Sequence, residues 1–190
     1  MATNDRHDRA NDTGRERHRF ERHGRRGRRS ARDRHPSRRP HRSIVIVDIE
    51  NLLGADPTWA TSEGVQATVA ALVQRAVIRE GDLVYVACNP GLAPIVAGHI
   101  GSWHLQVRSG ADGADLALLD VVSDDFLHRA AERVVVASGD GAFTPLVQRC
   151  NHAGQSTVVV ADARSTSRSL RLHAGRFLPL GRPAQFALAA

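Results

Sequence analysis

The chain of 190 residues contains no lysine; all 26 of its Lys-or-Arg positions are arginine. That uniformity points to a GC-rich coding genome rather than to a particular chemistry. Cysteine is nearly absent too. Cys88 and Cys150 are the two present, both in apolar surroundings and without the paired spacing of a metal site. A disulfide framework is thereby excluded, and the two thiols read as small core residues in a reducing compartment. No apolar run approaches the about 20 residues of a membrane span, and no hydrophobic signal region stands near the N-terminus. A soluble, cytoplasmic protein is expected. Gly-x-Gly-x-x-Gly after the first strand is missing, as is Gly-x-x-x-x-Gly-Lys-Ser/Thr, so the phosphate loops of dinucleotide and NTP sites are not available. Gly-x-Ser-x-Gly is missing as well, which removes the nucleophile elbow of a serine hydrolase. His99, His104, His128, His152 and His173 show no paired metal spacing.

What charge there is lies unevenly. Residues 1–43 hold 15 Arg against six acids, whereas residues 44–190 hold 11 Arg against 14 acids. The sequence pI near 10.9 therefore describes a basic tail attached to a mildly acidic domain. Phe20 is the one large hydrophobe in residues 1–43. A segment with so little to bury cannot offset its chain entropy, and a disordered Arg-rich tail is expected there. Arg25, Arg26, Arg28, Arg29, Arg38, Arg39 and Arg42 form its densest cationic stretch. Guanidinium groups bind phosphates bidentately and stack on bases, so RNA is the expected partner.

From Ser43 the pattern changes. Short runs of β-branched residues, Ile44–Val47, Leu83–Ala87, Trp103–Arg108, Val134–Ala137 and Thr157–Ala161, alternate with segments of helical spacing. Residues 62–78, 91–100, about 112–130, 142–152 and 167–173 read as the helices, and Phe177–Leu180 as a segment that pairs at an edge. The expected fold is a Rossmann-like three-layer α/β/α sandwich around a mainly parallel sheet of about five strands. The domain is placed at residues 44–180, with residues 181–190 as a C-terminal tail.

Three acids fall where such a sheet converges its strand ends: Asp48 after the first strand, Asp115 in the first turn of the long helix, and Asp140 after the fourth strand. Carboxylates gathered at one edge repel unless a cation neutralises them. Hard oxygen ligands without His or Cys suit Mg²⁺ or Mn²⁺. Such an ion can orient a phosphodiester and activate water for in-line attack. Asn51 is a candidate to orient a ligand carboxylate or substrate. Ser138 and Thr144 are candidates to hydrogen-bond a ligand carboxylate or a phosphate, with turn capping an equal reading. Asp112 reads first as a helix cap. Asp120 lies about 140° round the helix from Asp115, a poorer companion. Glu50, Asp112, Asp120 and Asp162 are held as reserve ligands, with Glu50 pointing away from Asp48 if the strand continues.

Val47-Asp48-Ile-Glu-Asn51-Leu52, Gly113-Ala-Asp115-Leu-Ala-Leu-Leu-Asp120 and Ser138-Gly-Asp140-Gly-Ala-Phe143-Thr-Pro-Leu146 together resemble the NYN domain family, a branch of the PIN-like nucleases. Ala153-Gly154-Gln-Ser-Thr-Val158 and Ser169–Phe177 are similar to the family's closing pattern. The resemblance runs from about Ser43 to Leu180. It implies a PIN-like sandwich and metal-dependent cleavage of RNA, with Asp48, Asp115 and Asp140 as metal-binding acids and Asn51 as the first-motif asparagine. Ala142 stands where many relatives carry a second Asp, and no Lys precedes the Gly-x-Asp motif. Two functions are therefore expected in turn: a Mg²⁺- or Mn²⁺-dependent ribonuclease, or a catalytically weak or inactive RNA-binding or regulatory protein on the same fold. A phosphatase ranks below both, because the spacing is Asp48-Ile-Glu50 rather than Asp-x-Asp. A homodimer would deepen the shallow groove of one small domain.

Deleting residues 1–43 is expected to weaken RNA binding and flatten its dependence on salt. On a single strand the log–log slope should fall by about 0.7 for each phosphate the tail no longer neutralises. Anisotropy titrations at several salt concentrations check this; unchanged affinity would remove the tail from the binding surface.

Overall fold

The computed structural model describes residues 42–54, 58, 60–75, 77–110, 112–123, 127 and 131–181. The tail arginines Arg25, Arg26, Arg28, Arg29, Arg38 and Arg39 lie outside them, and Arg42 stands exposed at their start.

Six strands form one sheet: β1 (Ser43–Asp48), β2 (Leu83–Cys88), β3 (His104–Val107), β4 (Arg133–Ala137), β5 (Ser156–Ala161) and β6 (Arg176–Pro179). Their order is β3-β2-β1-β4-β5-β6, and every neighbouring pair is parallel. The sequence pattern led to about five strands; the sixth is the edge segment, begun at Arg176 and hydrogen-bonded to β5. Its Pro179 is tolerated because an edge strand has one side without ladder bonds.

Helices cover both faces. α1 (Ile49–Leu53), α2 (Ser62–Gln74) and α3 (Ala93–Ala97) carry apolar residues into one core, where Val65, Leu72 and Val96 meet Val45, Val47, Val84 and Val86. α4 (Gly113–Val121), α5 (Thr144–His152) and α6 (Arg168–His173) fill the other, where Leu118, Leu146 and Leu170 meet Ile44, Ile46, Val134 and Val136. Side chains alternate along a strand, so Ile44 and Ile46 face the α4 layer while Val45 and Val47 face the α2 layer. Both sheet faces are buried, and that is why the central strands read as unbroken apolar runs instead of alternating ones. Phe143, wholly buried in a single 3₁₀ turn (Gly141–Phe143), plugs the second core at the entry to α5.

Two helix boundaries differ from the pattern reading. α2 begins at Ser62 as read but ends at Gln74 rather than at 78, and its start is capped by Thr61, whose hydroxyl accepts from the Gly64 amide at 3.2 Å. The helix expected to reach about Ala130 stops at Val121, and Val122 is buried in a non-helical conformation. The cysteines behave as read: both are free and buried, and burial pushes the Cys88 thiol up to about 11.

α4 is seated by close backbone approach. A Cβ on Gly113 would lie 2.6 Å from the Arg108 carbonyl oxygen, so only glycine fits at the first residue of this helix. Gly113→Ala is expected to destabilise the domain by about 1–3 kcal/mol, the usual range for forced overpacking. A lowered denaturant midpoint at unchanged slope would be the signature.

Candidate active site at the carboxyl edge of the sheet

The strand order reverses between β1 and β4: the crossovers leading away from β1 lie on one face and those between β4 and β6 on the other. A crevice opens at the carboxyl ends of strands at such a reversal. Asp48 is the last residue of β1, and its even position in the pleat sends it to the α4 side with Ile44 and Ile46. Ser138 follows β4 on the same phase. Its hydroxyl donates to Asp48 Oδ2 at 3.0 Å and accepts the Asp140 amide at 3.1 Å. Asp48 Oδ1 accepts the Asn51 amide at 3.1 Å and so caps α1. Asp48 is 4 % exposed, an unusual place for a carboxyl group unless its hydrogen bonds are met.

Asp115 comes to it from the first turn of α4. It is buried, and the two carboxyl groups are within hydrogen-bonding reach of each other. Burial is the largest cause that pushes the Asp48 carboxyl up, to about 7. The Asn51 amide and Ser138 hydroxyl pull it back, and the charge of Asp115 pushes further. Asp115 is raised as well, by burial first and then by Asp140, with Asp112 and Glu50 adding smaller repulsions while its hydrogen bond to Asp48 opposes. The pair thus favours holding one proton between two carboxyl groups when no cation is present.

Asp140 takes part and also caps. Its Oδ1 accepts the Ala142 amide at 2.8 Å at the start of the 3₁₀ turn. Asn51 ties the two strand ends together through its side-chain oxygen, which accepts the Gly139 amide at 2.8 Å. Gly139 is packed so closely that a Cβ there would meet Thr166 Cα at 3.2 Å and Asn51 Oδ1 at 3.3 Å. Asn51 is therefore a structural clasp across β1 and β4. Thr144 is buried, and its hydroxyl has no hydrogen-bond partner among the described residues.

The reserve residues separate. The chain turns helical at Ile49, so Glu50 does not continue a pleat opposite to Asp48 as expected; it adds to the field at Asp115 and accepts from the Asn89 side-chain amide. Asn89 escapes the sequence reading; its place just past the end of β2 is the one signal that could have found it. Asp112 occupies the cap position of α4, but its side chain makes no capping hydrogen bond. Asp120 is turned away from the cluster, 74 % exposed and bound to Arg108 at 2.7 Å. Asp162 also turns elsewhere, to Arg164 at 3.2 Å and to the turn that follows β5.

Among the described residues, no cationic side chain pairs with Asp48, Asp115 or Asp140. Nor do three His, Cys, Asp or Glu side chains there form a ready-made metal cage. What stands at the edge is a buried carboxyl pair with a third acid beside it, one oxygen of which is held by a backbone amide. A donor set of hard oxygens lacking a compensating cation fits a divalent ion such as Mg²⁺ or Mn²⁺, with further coordination left to water and substrate.

The family model of the NYN domain matches residues 96–181. Over that stretch, less than half of its length, the chain is similar to a NYN domain. The matched stretch holds Asp115 and Asp140 but begins beyond Asp48 and Asn51; the Ser138–Asp48 and Asn51–Gly139 hydrogen bonds join the first motif to it in space. Among solved structures, the fold is similar to that of a protein of unknown function from Vibrio parahaemolyticus RIMD 2210633. The two share 17 % identity with a TM-score of 0.55 over 75 % of this chain and 94 % of the other. That likeness concerns the fold alone. Comparison with curated proteins returned no match. No helix among the described residues is long and apolar enough to cross a membrane.

The raised Asp48 carboxyl sets a pH dependence. A folded-state pKa above the unfolded one means the native state holds the extra proton, so this contribution is fully present below about 4 and is lost as pH rises through about 7. In EDTA, Asp48→Asn is expected to gain stability relative to the parent between these values, by at most about 1.4 kcal/mol per pH unit. With Mn²⁺ the parent's loss should shrink as pH rises, because ligation requires the deprotonated acid. Thermal melts of both proteins from pH 4 to 8 check the sign.

Proposed function

We propose that this NYN domain is a divalent-metal-dependent ribonuclease whose centre is the Asp48–Asp115 pair with Asp140 beside it. The observation that carries the reading is the burial of two touching carboxyl groups at the sheet's topological switch point, without a protein cation among the described residues to balance them. Repulsion of that kind opposes folding and is retained where a bound cation relieves it. NYN domains typically bind RNA, which supplies the substrate class.

Asp48 and Asp115 would hold the ion, and Asp140 would contribute the oxygen that Ala142 does not engage. When bound, Mg²⁺ or Mn²⁺ supplies Lewis acidity toward a phosphodiester and a lowered pKa for water. The chain's own residues do the positioning. Ser138 fixes the rotamer of Asp48 and, through the Asp140 amide, the path of the turn that presents Asp140. Asn51 keeps the β4 turn against α1, so the two acid-bearing loops keep one spacing. Glu50, held by Asn89, adds negative charge near Asp115.

A second reading has its own support. Ala142 replaces the further Asp seen in many relatives, its amide occupies Asp140 Oδ1, and no three-residue cage is preformed among the described residues. These favour a protein that binds RNA on the NYN fold with little or no turnover.

Cleavage of a labelled single-stranded RNA in Mn²⁺ separates the two. For the nuclease, activity is expected in the parent and not in EDTA. Ser138→Ala should retain about one-tenth to one-hundredth of it, as for loss of an outer-shell partner, and Asp140→Asn should retain less. Equal cleavage by parent and Asp140→Asn would refute this centre. RNA bound but uncut by the parent would establish the binding-protein reading.

A further inference from the structure

Eleven arginines lie beyond residue 43, in a stretch where acids outnumber them. Four of them, Arg75, Arg79, Arg133 and Arg176, line a single hollow of about 260 Å³. Its floor is apolar, with Val160 and Leu178 from β5 and β6, and belongs to the core layer on the α2 side of the sheet. The hollow shares no residue with the carboxylate cluster.

The four arrive from separate elements. Arg75 follows the last residue of α2, Arg79 lies in the turn before β2, and Arg133 and Arg176 open β4 and β6. Two heads are anchored by neutral acceptors: Arg75 donates to the Pro179 carbonyl at 2.8 Å and Arg133 to the Ser43 hydroxyl at 3.3 Å. The Arg176 side chain makes no hydrogen bond or ion pair among the described residues. Asp82 lies near Arg133, and its two oxygens accept the backbone amides of Ser43 and Arg79. The crowding is felt at Arg133, whose guanidinium is lowered from its usual range by burial first and then by Arg79, with Arg176 adding to this and Asp82 opposing it.

Four guanidiniums around one hollow concentrate positive charge on one face of an otherwise mildly acidic domain. Their planar donor forks match phosphate oxygens, and an apolar floor suits the face of a sugar or base. We propose that this hollow is a second RNA site, distinct from the carboxylate cluster, that grips backbone phosphates of a single strand. The proposal rests on RNA being the ligand of this domain. It gives an acidic domain a cationic foothold, so that the strand is held on one surface and presented to the acids on another.

The test is binding of a labelled single strand to the full chain in EDTA, read as anisotropy across a salt series. Arg75→Gln/Arg176→Gln removes two charges while keeping donors for Pro179. The log–log salt slope is expected to flatten by about 1.4, or by about 0.7 in Arg176→Gln alone, with unaltered melting. Arg164→Gln/Arg168→Gln, outside the hollow, should change it less. An unchanged slope, or equal loss in that control, overturns the proposal while leaving RNA binding by the domain intact. If inorganic phosphate raises the melting temperature of the parent and not of the double variant while the slope stays put, the hollow takes a free anion and the RNA assignment fails. No RNA binding by the parent overturns the underlying reading and this site with it.

Discussion

Two carboxyl groups buried against each other, Asp48 and Asp115, are the constraint around which this edge of the protein is built. Each alone would be an awkward core residue; together they oppose the fold unless a proton or a cation lies between them. Much of the local architecture serves to hold them there. Gly113 lets α4 approach Arg108 closely enough to place Asp115. Ser138 donates to Asp48, and the Asn51 amide does so from the other side. Asn51 then uses its side chain to close β1 onto the turn after β4. Loss of any one of these loosens a geometry that apolar packing alone would not maintain.

The parallel sheet supplies the reason for that location. Crossovers to opposite faces on either side of the β1–β4 boundary open a crevice at the strand ends there. Polar side chains are admitted at the gap and excluded below it, where Ile44, Val45, Ile46 and Val47 are sealed by both helical layers. Negative charge gathers at this edge and positive charge in the arginine hollow over β5 and β6. A chain with a modest overall imbalance beyond its tail thereby has two fields of opposite sign on one rigid scaffold, one suited to a cation and the other to a polyanion.

Much of this could be read from the residues. The strands were legible because burial on both faces imposes runs such as Val134–Ala137, and the acids because each follows a strand or opens a helix. The order of the three motifs was specific enough to indicate the NYN family, although the family match itself begins only at residue 96. Other features were hidden. Asp120 reads as a poorer ligand from its angle round the helix, but its actual partner, Arg108, twelve residues earlier and across a turn, carries no signal in the sequence. Asn89 carries no motif and matters because β2 ends beside β1. The early end of the α4 helix at Val121 interrupts a segment whose composition continues to favour helix.

The alternation of strand and helix, the segregation of arginine from acid along the chain, and the three carboxylates at element ends are set by residue order alone, because periodicity and composition are local properties. Which acids touch, which one caps a turn, and which arginines share a hollow are settled by tertiary packing. Those outcomes depend on the parallel pairing of β1 with β4 and on the phase of each pleat, and the Ser138–Asp48 hydrogen bond joins residues ninety positions apart. No local pattern encodes such a distance; closing it takes the whole sheet.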